Sequence, residues 1–309
     1  RSSDLASVDS LTALDIELVE RLIANFYPGF AFSAVAEVDS VYWVDLALPV
    51  PPTRLARMPS AAVATQRFFK PAAAHAGIAK LLHDLERGHD VPADLVLGGH
   101  YHAQALLPAL RHLVLYLAPV PPQRRHDRHN VKQRALVVHG LSQAIQMISG
   151  ANPEGDMAPA ELWQVENVSR GGFGVLLDGV PGEWLKVGAV VAMQPNASGN
   201  WLLGIIRRYI RLGQSAGQVG IETLALQAVA VELRTRSALS YAAAAGIGAL
   251  LIREGGEGAE VRALMPFASF SVRDTLECEL DGQRIQLTPI AVVERAPDYE
   301  LARFRLGGH

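Results

Sequence analysis

The chain has 309 residues, with 28 Lys and Arg against 31 Asp and Glu, and its net charge of −3 excludes a general attraction to DNA, RNA or anionic lipid. Half of the residues are apolar and 19% are charged, which suits ordinary globular cores, and the length allows about two or three domains. The single cysteine, Cys278, excludes an intrachain disulfide framework and fits a reducing compartment. It sits in the alternating run LECEL and reads as a half-buried strand thiol rather than a nucleophile. The opening RSSDLASVDS carries neither a signal-peptide pattern nor a methionine, so the chain reads as a fragment or trimmed product of a cytoplasmic protein. The longest apolar run, 241–252, is too short to span a bilayer.

In chain order, Leu11, Leu14, Leu18, Leu22 and Phe26 form one helical stripe over 11–26, with Asp9 or Ser10 as its cap and Pro28-Gly29 as its stop. Residues 31–50, rich in aromatic and β-branched side chains, read as extended until the prolines Pro49, Pro51 and Pro52 end them. Helices are expected over 72–87 and 101–117, with Pro108 either kinking the second or marking its start. This first region, 1–118, is mixed and mainly helical, with no chemistry to assign. The run Ala118-Pro-Val-Pro-Pro122 then breaks the helix and marks a domain boundary.

Beyond it the pattern turns to β. Strands are expected over 132–139, 161–168, 173–177, 184–194, 200–211 and 218–224, with a short helical or looped excursion over 141–149 and a soft segment GANPEGDMAP. From about residue 227 further strands fall at 228–234, 245–253, 259–265, 275–280, 285–293 and 299–306, with Asp281-Gly282 as a hairpin turn. Many short strands at this spacing indicate sandwiches or barrels. The expected organisation is therefore 1–118 mainly helical α/β, 119–226 a first β-barrel and 227–309 a second.

Two stretches carry the candidate chemistry. In QRRHDRHN, residues 123–130, Arg124, Arg125 and Arg128 lie between prolines and a strand, and Arg124 and Arg128 stand in an R-x-x-x-R relation. Guanidinium forks pair bidentately with phosphate and stack on bases. A solvated turn with interdomain salt bridges accounts for them as well. In NVSRGG, residues 167–172, Asn167 and Ser169 lie two apart at a strand end and so share a face, while Gly171 and Gly172 allow a ligand close to the backbone. A plain β-turn explains the glycines equally.

Taken together and in this order, the two stretches resemble the PilZ domain family, six-stranded β-barrels that act as receptors for the bacterial second messenger cyclic di-GMP. Its signature is R-x-x-x-R before the first strand and D/N-x-S-x-x-G on the barrel, and Arg124, Arg128, Asn167, Ser169 and Gly172 fill the five positions over roughly 119–224. The resemblance implies that Arg124 and Arg128 grip guanine edges and phosphates, that Asn167 and Ser169 contact the ligand from the barrel and that Gly172 permits the turn. Arg125 is an additional contact, with Arg170 and Trp163 as weaker ones. Asn167 stands where many members carry Asp. It implies a non-enzymatic effector in nucleotide signal transduction, with cyclic di-GMP as ligand and no cofactor. A protein partner would receive the signal, with no polymeric nucleic acid bound and no membrane span.

Two rival readings remain open at this stage. One is an interaction scaffold whose barrel binds no nucleotide. The other is a metal site built from His100, His102, His126 and His129, for which the sequence positions no further ligand. No G-x-S-x-G elbow, P-loop or H-E-x-x-H is present, and Gly171-Gly172-Phe173-Gly174 opens a strand rather than the helix that a dinucleotide loop requires.

Overall fold

A computed structural model describes residues 7–56, 63–120, 127–150, 159–179, 182–195, 199–213, 216–235, 246–253 and 260–307. The chain divides into two compact units, 1–125 and 126–309. In the first, helices α1 (Ala13–Phe26), α2 (Ala72–Glu86) and α3 (Ala103–Tyr116) bury Leu18, Leu22, Ile78, Leu106, Leu110 and Leu113 completely. The cap of α1 is Thr12, not Asp9 or Ser10. Its hydroxyl accepts from the Asp15 N–H at 3.2 Å, and the Asp15 carboxylate accepts from the Thr12 N–H, a reciprocal capping box. Pro108 lies inside α3 rather than at its start.

The stretch expected to be extended over 31–50 is only partly so. It supplies two short strands, β1 (Ala31–Ser33) and β2 (Tyr42–Asp45), which join β3 (Thr53–Arg54) and β4 (Gln66–Lys70) in a sheet ordered β1-β4-β2-β3. The central strand β4 escaped the sequence reading because QRFFK is too short to show a period. Arg54 ties this sheet to α3. Its guanidinium lies 5.0 Å from the Tyr42 ring centre and donates to the carbonyls of Tyr116 and Ala118 at 2.7 Å, acceptors at the helix end that have no partner within the helix.

The second unit holds two closed, antiparallel six-stranded barrels. The first comprises β5 (His129–His139), β6 (Glu161–Ser169), β7 (Gly172–Asp178), β8 (Val190–Pro195), β9 (Leu202–Arg211) and β10 (Ala216–Ala225), in the cyclic order β10-β7-β6-β5-β8-β9. Its inside is filled by alternating side chains, among them Val137, Trp163, Val165, Val175, Val191, Met193, Ile206 and Val219. The strand expected over 184–194 begins only at Val190. Gly188, at φ +90°, turns the chain before it, and Trp184 instead stacks on His139 at 4.0 Å and on Trp163 at 5.9 Å. The excursion after β5 is a helix, α4 (Leu141–Ser149), and the soft segment that follows lies outside the described residues over 151–158.

The second barrel comprises β11 (Val229–Thr235), β12 (Ile247–Arg253), β13 (Glu260–Pro266), β14 (Leu276–Leu280), β15 (Gln283–Arg295) and β16 (Tyr299–Gly307). Asp281 and Gly282 turn the β14–β15 hairpin at φ +54° and +76°, with Leu280 paired to Gln283. Cys278 is buried on β14. The order β11-β12-β13-β16-β15-β14 repeats the pairing of the first barrel strand for strand, each pair of β5–β10 having its counterpart in β11–β16. The two barrels share a core along α4, where Leu141, Ala144, Val190 and Leu203 pack in one cluster with Leu250, Ile252, Leu264 and Tyr299.

Candidate functional site

The NVSRGG stretch forms the hairpin end between β6 and β7. Ser169 pairs with Gly172 across the turn, and its hydroxyl donates to the Gly172 carbonyl at 3.3 Å. The neighbouring strand β10 closes over the turn, with the Thr223 N–H donating to the Gly171 carbonyl at 3.0 Å and Glu222 paired with Gly172. A Cβ on Gly172 would lie 1.9 Å from the Ile221 carbonyl oxygen. Glycine at this position is thus a packing requirement, met whether or not a ligand is present.

Asn167 faces outward. Its neighbour Val168 packs against the barrel core, whereas the Asn167 amide lies over Gly174, where a Cβ would come within 2.4 Å of it. The lateral partner of Asn167 on β5 is Asn130, and both strands are irregular here, between Asn130 and Gln133 and between Val165 and Asn167. Such bulges re-aim side chains at the edges of binding sites. Beside them a hollow of about 460 Å³ is lined by Asn130, Val131, Lys132, Gln164, Glu166 and Asn167. Across the barrel face, Gln218 donates to Glu166 at 3.4 Å.

Arg128 is exposed one residue before β5, whose first residues pair with Val168 and Asn167, so the end of the basic segment enters the barrel beside the serine turn. Arg124 and Arg125 lie outside the described residues. Arg170 is exposed at the tip of the turn. Trp163, 3% exposed, packs in the barrel core at the other end of β6, where its indole N–H donates to Glu161 at 2.8 Å.

A comparison with protein families matches residues 111–229 to the model described as "Cyclic-di-GMP receptor FimW, middle PilZ domain". This region is a PilZ domain. The PilZ barrel is the first of the two in the second unit, and the model it matches is that of a cyclic di-GMP receptor. No curated protein matches the chain.

Sequence reading overlooked Asn130, Lys132 and Glu166 in this PilZ domain. Asn130 comes to Asn167 through strand pairing, Glu166 precedes it in the chain, and Lys132 lies in the irregular stretch of β5 that lines the same hollow; the only sequence cue was their place at the start of β5 and within the serine strand. Among the described residues no three His, Cys, Asp or Glu side chains converge as a metal site would require, and His126 lies outside them. No described helix is long and apolar enough to cross a membrane.

The serine turn also has an electrostatic neighbour. Glu222, the partner of Gly172, accepts from Arg207 Nε at 2.6 Å, and Arg207 reaches Glu294 on β15 of the second barrel through both remaining nitrogens. Burial works to lower the Arg207 pKa, but the bond and charge of Glu294, helped by Glu222, outweigh it and hold the guanidinium above its ordinary value. For Glu294 burial works upward, yet its bonds to Arg207 and Tyr299 keep the carboxyl below its ordinary value. The Tyr299 hydroxyl is pushed up, by burial first and by Glu294 second.

Proposed function

We propose that this protein is a non-enzymatic, cytoplasmic effector that binds cyclic di-GMP on its PilZ barrel and passes the signal to a protein partner. The carrying observation is that Asn167, Ser169 and Gly172 fill the serine motif and that Arg128 stands one residue before β5, whose first residues pair with Val168 and Asn167, all within the region that matches a cyclic di-GMP receptor model. In this reading Arg124 and Arg128, with Arg125 beside them, clamp guanine edges and phosphates from the segment. Asn167 and Ser169 bond the ligand from the barrel, Gly172 keeps the turn, and Arg170 borders the ligand. Binding draws the basic segment onto the barrel, an ordering step of the kind that reorients neighbouring domains.

The second barrel supports the division of labour. It repeats the PilZ strand pairing, but the sequence EGGEGA, 254–259, between β12 and β13 contains no serine, and residues 226–228, LQA, before β11 contain no arginine. Its role in this proposal is contact with the partner.

The test is calorimetric titration of cyclic di-GMP into the whole chain beside an Arg124→Ala/Arg128→Ala double variant. A charged hydrogen bond is worth about 1.5–3 kcal/mol, so the double variant is expected to lose at least ~100-fold in affinity. No heat from the folded wild type would defeat the receptor reading and leave a scaffold that binds protein alone.

A further inference from the structure

Strand pairing lines up five residues across five strands of the PilZ barrel: Asn130, Asn167, Gly174, Gly220 and Arg208. Lateral partners in a sheet point to the same face, and Asn167 fixes this one as the outer face. The middle pair are glycines, and each is overlain from its own side. The Asn167 amide covers Gly174, and the Arg208 stem stands against Gly220, where a Cβ would meet Arg208 Cβ at 3.1 Å. Arg208 itself is exposed, on the irregular part of β9 where the pairing shifts between Gly220 and Ile221.

We infer that Arg208 is a further ligand-binding residue of this site, gripping the edge of cyclic di-GMP that lies away from the basic segment. The inference rests on the receptor reading above. A cyclic dinucleotide carries two phosphodiesters and two guanines, so cations on one side alone leave half of its charge unmet. Arg128 stands on the β5–β6 side, two residues before Asn130. Arg208 lies three strand spacings beyond Asn167, roughly 14 Å at ~4.8 Å per strand, with only glycine between them. Two glycines in adjacent strands let the Asn167 amide and the Arg208 stem lie down close to the backbone, so that both polar ends border the same stretch of the outer face. A guanidinium at its far side presents the planar fork that matches a phosphate or the O6 and N7 of guanine. Because Arg208 sits on a strand rather than a loop, its position is set before the ligand arrives.

The experiment is calorimetric titration of cyclic di-GMP into the full chain carrying Arg208→Gln, Arg208→Lys or Gly220→Val, with the Arg124→Ala/Arg128→Ala variant in parallel. Arg208→Gln is expected to weaken binding about 10- to 100-fold in a protein that still melts cooperatively, and Arg208→Lys to recover part of the loss. Gly220→Val, which crowds the Arg208 stem, is expected to weaken binding by displacing the guanidinium. Wild-type affinity in Arg208→Gln, with binding still lost in the segment variant, would overturn this inference and leave the receptor reading intact. A wild type that binds no cyclic di-GMP would overturn both.

Discussion

Arg207 on β9 of the PilZ barrel and Glu294 on β15 of the second barrel form a two-pronged ion pair, Nη1 to Oε1 and Nη2 to Oε2, each at 2.6 Å. The fully buried Tyr299 donates its hydroxyl to the same carboxylate, and Arg207 Nε holds Glu222, the strand partner of Gly172. The backbone of the serine turn is therefore one residue pair away from the junction of the barrels. A change at the turn has a short, polar route to the second barrel.

Removing either member of this pair strands a charge that is about two-thirds shielded from water. Arg207→Ala and Glu294→Ala are each expected to destabilise the protein by about 1–3 kcal/mol, less than a fully buried pair loses because solvent screens part of the attraction. A double-mutant cycle by urea denaturation should show coupling well above the few tenths typical of surface pairs. Additive losses would mean that the pair is ornamental.

The same carboxylate makes the junction acid-sensitive. The folded Glu294 pKa is depressed below its ordinary value of 4.5, so its contribution is fully present above that value and is lost as pH falls through the lower folded value. Thermal melts across this acid range should show the wild type losing more stability than Glu294→Gln. Parallel curves would remove Glu294 from the account.

Gly172→Ala places a methyl against the Ile221 carbonyl. Overpacking of this kind costs about 1–3 kcal/mol, and relief requires β10 to move away from the turn. A lowered melting temperature is expected in the absence of any nucleotide. An unchanged one would mean that the glycine serves the ligand alone.

Burial pushes the Cys278 thiol up, and its side chain is 5% exposed on β14. The native protein should react with a thiol reagent at pH 7.5 far more slowly than the urea-unfolded chain. Rapid native labelling would show that β14 opens readily.

The sequence by itself determined the alternation between helical and strand-like regions, because apolar residues at spacings of three to four or two report a buried face directly. It also determined the serine motif, whose turn and glycine are local, and the hairpin at Asp281-Gly282, which needs two residues at positive φ. What it misplaced was settled by tertiary partners. Trp184 looked like strand but stacks between a histidine and another tryptophan, and β4 became the sheet's centre only because β1 and β2 flank it. The glycine row that brings Arg208 into line with Asn167 and the Arg207–Glu294 pair join residues 41 and 87 positions apart, and the second barrel repeats the first strand for strand without a repeated sequence motif. No local pattern encodes such pairings. They exist because closing a barrel fixes register across all six strands at once, and that register is a property of the folded sheet.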